Sequence, residues 1–209
     1  KILLSTLIKM IKILRLFLYS LIHMKISIIG TSGRGFNSHL LTRDLYISML
    51  HKASDIIREL SIPNENIELV SGGAAWADHI TISLFLLNQN YKKLILYLPS
   101  DFHQSSFVGT NKYTNSIANT ANNLHRNFSE IVQFNSLEQI QYCCNMSSVD
   151  INSSHKGFKN RNTYVAQSDY IIAFTWYDTD KPINGGTADT WNKASTANKI
   201  HIPLSSLIS

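Results

Sequence analysis

The chain has 209 residues, 44% of them hydrophobic and 16% charged, a composition that fits one globular domain with a sizeable core and excludes a disordered or fibrous protein. Of the formal +5 charge, four units belong to Lys1, Lys9, Lys12 and Arg15, which leaves +1 for residues 24–209. A body this near neutral argues against a nucleic-acid-binding face, which needs several phosphate-neutralising side chains.

Residues 1–23 are apolar, but the longest run free of Lys and Arg is Leu16 to Ile22, short of the ~20 apolar residues that span a bilayer. On a helix the four basic side chains fall within roughly 120° of one another. Two readings stand: an amphipathic anchor at a membrane surface, or an extension upstream of the domain, since Met24 directly precedes the first strand-like run. Ser20-Leu21-Ile22-His23 is a poor secretory cleavage site. The expected division is a 1–23 extension and a single domain over 24–209.

From Met24 onward, strand-like runs alternate with helical patterns. Lys25–Ile29 reads as the first strand, and Leu41, Leu45, Met49, Ile56, Ile57 and Leu60 mark a helix ended by Pro63. Glu68–Val70 is the second strand, 74–88 a helix, and 93–98 a third strand stopped by Pro99. The stretch 100–127, with six Asn, reads as a surface loop or a lid, since long loops are usually functional or disordered. Ile131-Val132-Gln133-Phe134 is a weaker fourth strand; Tyr170–Phe174 and Ile200–Ile202 follow, the last reached through a helix over 188–198. Such alternation predicts an α/β, Rossmann-like fold: a mostly parallel sheet with helices on both faces and a ligand crevice beyond the carboxyl ends of its strands.

Three glycine-rich turns follow strands and precede helices: Gly30-Thr31-Ser32-Gly33-Arg34-Gly35, Ser71-Gly72-Gly73-Ala74 and Asn184-Gly185-Gly186-Thr187. Glycine admits a ligand close to the backbone, and the first amides of a helix lack intrahelical acceptors, so each turn is a candidate phosphate cradle. The first lacks the spacing of a dinucleotide fingerprint, yet its hydroxyls and Arg34 suit an anion. In the second, Ser71 stands as an N-cap, and Asp78, one turn into the helix, either complements the helix dipole or meets a ribose hydroxyl. Arg161, in Gly157-Phe158-Lys159-Asn160-Arg161-Asn162, suits a phosphate. Trp176, Tyr177 and Trp191 are either core or a surface on which a base stacks. The eight histidines show no i, i+4 pairing, and the adjacent Cys143 and Cys144 lack metal-ligand spacing, so no metal and no cofactor are expected; two adjacent cysteines also cannot staple distant segments, which suggests a reducing, cytoplasmic compartment.

The Ser-Gly-Gly-Ala turn with its following Asp78, the pair Arg161-Asn162 before a strand, and Gly185-Gly186-Thr187 opening the last helix resemble the SLOG superfamily. That group includes the DNA-processing protein DprA/Smf, the Lonely Guy cytokinin-activating phosphoribohydrolases, molybdenum-cofactor carriers and nucleotide-sensing modules of prokaryotic conflict systems. The resemblance covers Lys25 to about Leu204. It implies a Rossmann-like domain, commonly a homodimer, that binds a nucleotide or nucleotide derivative.

The Lonely Guy motif resembles Pro-Gly-Gly-x-Gly-Thr-x-x-Glu, whose Glu assists N-glycosidic cleavage together with an Arg that Arg161 matches in context. Here Thr190 falls at the Glu position, Asp189 stands one residue earlier, and Asn184 replaces the proline. A one-residue shift turns a helical side chain by ~100°. The expectation is therefore phosphate held by the glycine turns and Arg161, in a sensor or carrier. The alternatives are a phosphoribohydrolase acting through Arg161, Asp189 or Asp78, and DprA-like binding of single-stranded DNA, against which the near-neutral body speaks.

Overall fold

The computed structural model describes residues 23–208, and the readings of residues 1–22 lie outside them. The elements are β1 (Met24–Gly30), α1 (Arg43–Glu59), β2 (Ile67–Ser71), α2 (Ala77–Leu87), β3 (Lys93–Tyr97), β4 (Asp101–His103), β5 (Ser106–Val108), α3 (Lys112–Val132), α4 (Ser136–Cys144), β6 (Val149–Asn152), α5 (Phe158–Val165), β7 (Tyr170–Thr175), α6 (Gly185–Lys193) and β8 (Lys199–Pro203). Six strands form one sheet in the order β6-β3-β2-β1-β7-β8, with every neighbouring pair parallel. The fold is the α/β, Rossmann-like one that the alternation predicts.

Strands buried on both faces read as unbroken apolar runs, and β1 shows why. Ile26 and Ile28 join Leu69, Leu96 and Phe174 in the larger core, packed on Met49, Ile80, Phe128 and Ile140 of α1 to α4. Ile29 joins Val70, Ile95 and Ala173 on the other face, against Val165 of α5 and Trp191 of α6. Among the described residues no helix is long and apolar enough to cross a membrane.

The stretch 100–127 is not a loop or a lid. It holds the β4–β5 hairpin and most of α3, a 21-residue helix. Its asparagines have separate tasks. Asn111 caps α3 in a reciprocal capping box with Thr114. Asn122 is buried and pins the hairpin, accepting from Phe107 N–H and donating to Phe107 O, both at 2.9 Å. Asn115, Asn119, Asn123 and Asn127 face solvent. Ile117, Ala121, Phe128 and Val132 form the buried stripe. Burial of a large apolar side chain, roughly 1.5–3 kcal/mol, outweighs the helix penalty of each Asn, below ~0.7 kcal/mol.

The run Ile131–Phe134 is not a strand either: Val132 ends α3, and Gln133 adopts a left-handed conformation (φ 62°) that stops the helix. The edge strand is instead β6, paired with β3. At the glycine turns, α2 starts at Ala77 rather than 74, and α6 at Gly185 rather than 188.

Candidate functional site

Chain order fixes where a crevice opens. From β1 the sheet grows one way through β2 and β3, then returns to β1's other side with β7 and β8. The switch point lies between β1 and β7, where open α/β sheets bind ligands. A cleft of about 290 Å3 opens there. It is lined by the β1 turn (Gly30, Thr31, Ser32, Arg34), the β2–α2 turn (Gly73, Ala74, Ala75) with Asp78, and the start of α6 (Asn184, Gly185, Gly186, Thr187, Thr190). Further lining comes from α3 (Ala121, Leu124, His125) and α5 (Phe158, Arg161, Asn162). Most of the predicted residues thus converge; Gly33, Ser71, Gly72 and Asp189 do not line the cleft.

The β1 turn is tied to both neighbours. Gly30 has no room for a side chain, since a Cβ would lie 2.1 Å from Phe174 O. Thr31 N–H donates to Phe174 O (2.9 Å), and Thr31 O accepts from Ala77 N–H (3.1 Å). Gly33 packs on the Trp76 indole, 2.8 Å from where its Cβ would be.

The Ser71-Gly72-Gly73-Ala74 turn serves a different guest from the one expected. Ser71 is not the N-cap of α2; Trp76 holds that position, with φ 63°. The Ser71 hydroxyl donates to Asp78 O (2.9 Å) and accepts from Gly73 N–H (3.1 Å). The Asp78 carboxylate lies against Gly72, whose amide with that of Ala74 favours its charged form, and Arg161 Nη1 donates to its Oδ2 at 2.9 Å. The turn is thus occupied by the protein's own carboxylate, held by Arg161. A Cβ on Gly72 would lie 1.3 Å from Arg161 Nη1, so Gly72 seats the guanidinium. Burial pushes the Asp78 carboxyl above its ordinary range, and Arg161 with the two amides pulls the other way.

His125 braces the same turn from α3. Its Nε2–H donates to Gly73 O (3.1 Å), because a carbonyl only accepts, and its Nδ1 accepts from the Ser136 hydroxyl (2.9 Å). Burial pulls the His125 pKa down to about 4. The His79 ring meets that of His125 edge-on, and its pKa falls to about 3, through burial and then the neighbouring His125, against a hydrogen bond with Gln139.

At α6 the amides face no such internal guest. Asn184 is the N-cap, but its side chain makes no capping bond and donates instead to the Tyr177 hydroxyl (2.8 Å). The first turn of α6 contains no acid. Its first intrahelical bond runs from Ala188 N–H to Asn184 O, so the amides of Gly185, Gly186 and Thr187 lack an intrahelical acceptor. Gly185 takes φ +69°. The Thr187 hydroxyl donates to Gly30 O (2.9 Å), and Asn162 Nδ2 donates to Gly186 O (3.2 Å), which locks α6 against β1 and α5.

Asp189 turns away from the cleft. It accepts from Asn162 (3.1 Å) and Lys193 (2.9 Å). Burial raises its carboxyl, but the bonds from Lys193 and Asn162 more than offset this and hold it below its usual range. Thr190, at the Lonely Guy glutamate position, lines the cleft, and its hydroxyl donates to Gly186 O (3.1 Å). The predicted aromatics do not line it: Trp191 is core, Trp176 packs on the core, and Tyr177 is exposed. The aromatic lining is Phe158, at the start of α5. Phe158, His125, Ala121 and Leu124 carried no assigned role in the sequence. The Asn111-x-x-Thr114 capping box and the spacing Ile117, Ala121, Leu124, Phe128 were the signals for the last three. Among the described residues no group of His, Cys, Asp or Glu is placed to hold a metal.

Fold and site together define an α/β, Rossmann-like protein with a cleft at its topological switch point. The chain belongs to the same family as Uncharacterized protein R261 of Acanthamoeba polyphaga mimivirus, to which it is 40% identical over 185 residues, 87% of this chain and 97% of that protein. No family model matches the chain. No solved structure matches it either.

Proposed function

We propose that the cleft binds the phosphate of a nucleotide or nucleotide derivative, in a SLOG-type sensor or carrier domain. The observation that carries this reading is the contrast between the two glycine turns. The Asp78 carboxylate lies against the first turn, while the Gly185-Gly186-Thr187 amides face the cleft at a helix N-terminus free of acid, where an anion is favoured by dipole and donors alike. Arg161 adds to this: its buried Nε–H has no protein acceptor, and a ligand oxygen would satisfy it. Arg34 supplies a second guanidinium at the cleft.

The carboxylates favour binding over turnover. Asp189 is engaged by Asn162 and Lys193 outside the cleft, and Thr190 has no acid–base chemistry. One observation favours phosphoribohydrolase activity: Asp78 lines the cleft with its carboxyl raised by burial, as a general acid requires. Its bond to Arg161 opposes that role.

Incubation with adenosine, guanosine, cytidine and uridine 5′-monophosphates separates the two. Saturable calorimetric binding without released base supports the sensor or carrier. Stoichiometric appearance of free base and ribose 5-phosphate supports the hydrolase. No binding of any of the four contradicts the phosphate reading.

A further inference from the structure

Arg34 stands apart from the other cleft cation. Arg161 has a carboxylate; Arg34 has none within ion-pairing distance among the described residues. Its guanidinium carbon lies 4.6 Å from the centroid of the Phe158 ring, a cation–π contact. Burial, and then the charge of Arg161, pull its pKa below the ordinary arginine value, although the residue keeps solvent exposure. Gly33 and Gly35 flank it at φ +82° and +92°, backbone regions open to glycine, so this residue sits on a turn built for an unusual path.

Phe158 in turn faces the cleft. With Ala121 and Leu124 it supplies the apolar part of the lining, while the polar part comes from the strand-to-helix turns. The guanidinium thus lies over the one Phe, Tyr or Trp ring that lines the cleft among the described residues.

We infer that Arg34 is a ligand-responsive cover on Phe158: an anion at the start of α6 draws the guanidinium off the ring, and the bared ring stacks the planar base of the same ligand. This rests on the phosphate reading and deepens it. It names the preferred ligand as a phosphorylated compound carrying a planar ring rather than a sugar phosphate, and Phe158 and Arg34 as the residues that choose it. The exchange is favourable because Arg34 leaves a neutral ring for a full negative charge, a charge-assisted contact, and Phe158 trades one π-face partner for another.

The test compares ribose 5-phosphate with adenosine and uridine 5′-monophosphates by calorimetry, in the wild type, Phe158→Leu and Arg34→Gln. The wild type is expected to bind both nucleotides about tenfold tighter than ribose 5-phosphate, a gap the size of one base–aromatic stack. Phe158→Leu closes the gap by weakening both nucleotides; Arg34→Gln weakens all three alike. A second measurement does not depend on a variant folding: the Arg34 Nε–H proton, shifted by the ring in the free protein, loses that shift on saturation with adenosine 5′-monophosphate. Ribose 5-phosphate binding as tightly as the nucleotides, or an Arg34 proton that stays shifted, overturns this inference alone. Failure of all three compounds to bind overturns the phosphate reading and this inference with it.

Discussion

The guanidinium of Arg161 and the carboxylate of Asp78 meet 2.9 Å apart across 83 residues of sequence, both nearly excluded from solvent, and they meet on Gly72. The missing side chain of that glycine is the space the guanidinium fills. The first glycine pair therefore makes room for an internal ion pair, and the second presents open amides. Two turns with the same glycine pair do opposite work because one is followed by an acid placed to reach back into it and the other is not.

Breaking this pair from one side leaves a buried charge without its partner. Asp78→Ala is expected to cost about 3–5 kcal/mol, read from urea unfolding. Asp78→Ala combined with Arg161→Met is expected to recover much of that loss, since neither charge is then stranded. A double variant as unstable as the sum of the two single ones would mean the residues do not act as a pair.

Acid should weaken the fold through the buried histidines. His125 and His79 have folded pKa values depressed to about 4 and about 3, below the ordinary ~6.5. A depressed histidine contributes stability that is present above the unfolded value and lost as pH falls toward the folded one. Between pH ~6.5 and ~4, His125 alone should forfeit on the order of 3 kcal/mol. Asp78 acts with the opposite sign: burial raises its carboxyl, so its contribution is present at low pH and fades as pH rises. Urea midpoints across this range should fall toward acid, and His125→Gln should flatten the slope.

The brace on Gly73 is a donor, so its chemistry matters more than its volume. His125→Gln keeps an N–H for the Gly73 carbonyl, whereas His125→Phe fills the space and removes it, leaving a buried acceptor unpaired at about 1–3 kcal/mol. Thermal melts should rank wild type, Gln and Phe in that order. The Asp78 carboxyl, followed by NMR titration, should rise further in the Phe variant as the Gly73 turn shifts and the Ala74 amide favours the charged form less.

Gly186→Val should abolish nucleotide binding and spare the fold. A Cβ at Gly186 meets the protein only at an ordinary 3.6 Å contact with Asn162 Nδ2, so the branched side chain intrudes on the ligand rather than on packing. Asp189→Asn, outside the cleft, should leave affinity within about twofold and cost about 0.5 kcal/mol for the lost i, i+4 pair with Lys193. Calorimetry on the two variants side by side checks both.

The sheet was legible because parallel strands buried on both faces write themselves as apolar runs; Lys25–Ile29 and Tyr170–Phe174 needed only their ends adjusted. α3 was hidden because its buried stripe uses Ala118 and Ala121, too small to stand out among exposed asparagines. β6 was hidden because an edge strand, Val149–Asn152, buries only Val149 fully. At the site, the glycine turns, Arg34, Arg161 and Asn162 were readable from residue type and order. That Asp78 fills the first turn was not, because the sequence does not say which amides a carboxylate eight residues into a turn-helix unit will reach. The same holds for Phe158, whose position beside Arg34 depends on how α5 packs against the β1 turn.

The central claim is that a phosphate sits on the amides of α6 and not on those of the β2–α2 turn. An amide NMR titration with adenosine 5′-monophosphate tests it most directly. Saturable shifts are expected at Gly185, Gly186 and Thr187, with Gly72 and Ala74 unmoved beside the Asp78 carboxylate. Shifts concentrated at Gly72 and Ala74, with the α6 amides unmoved, would contradict it.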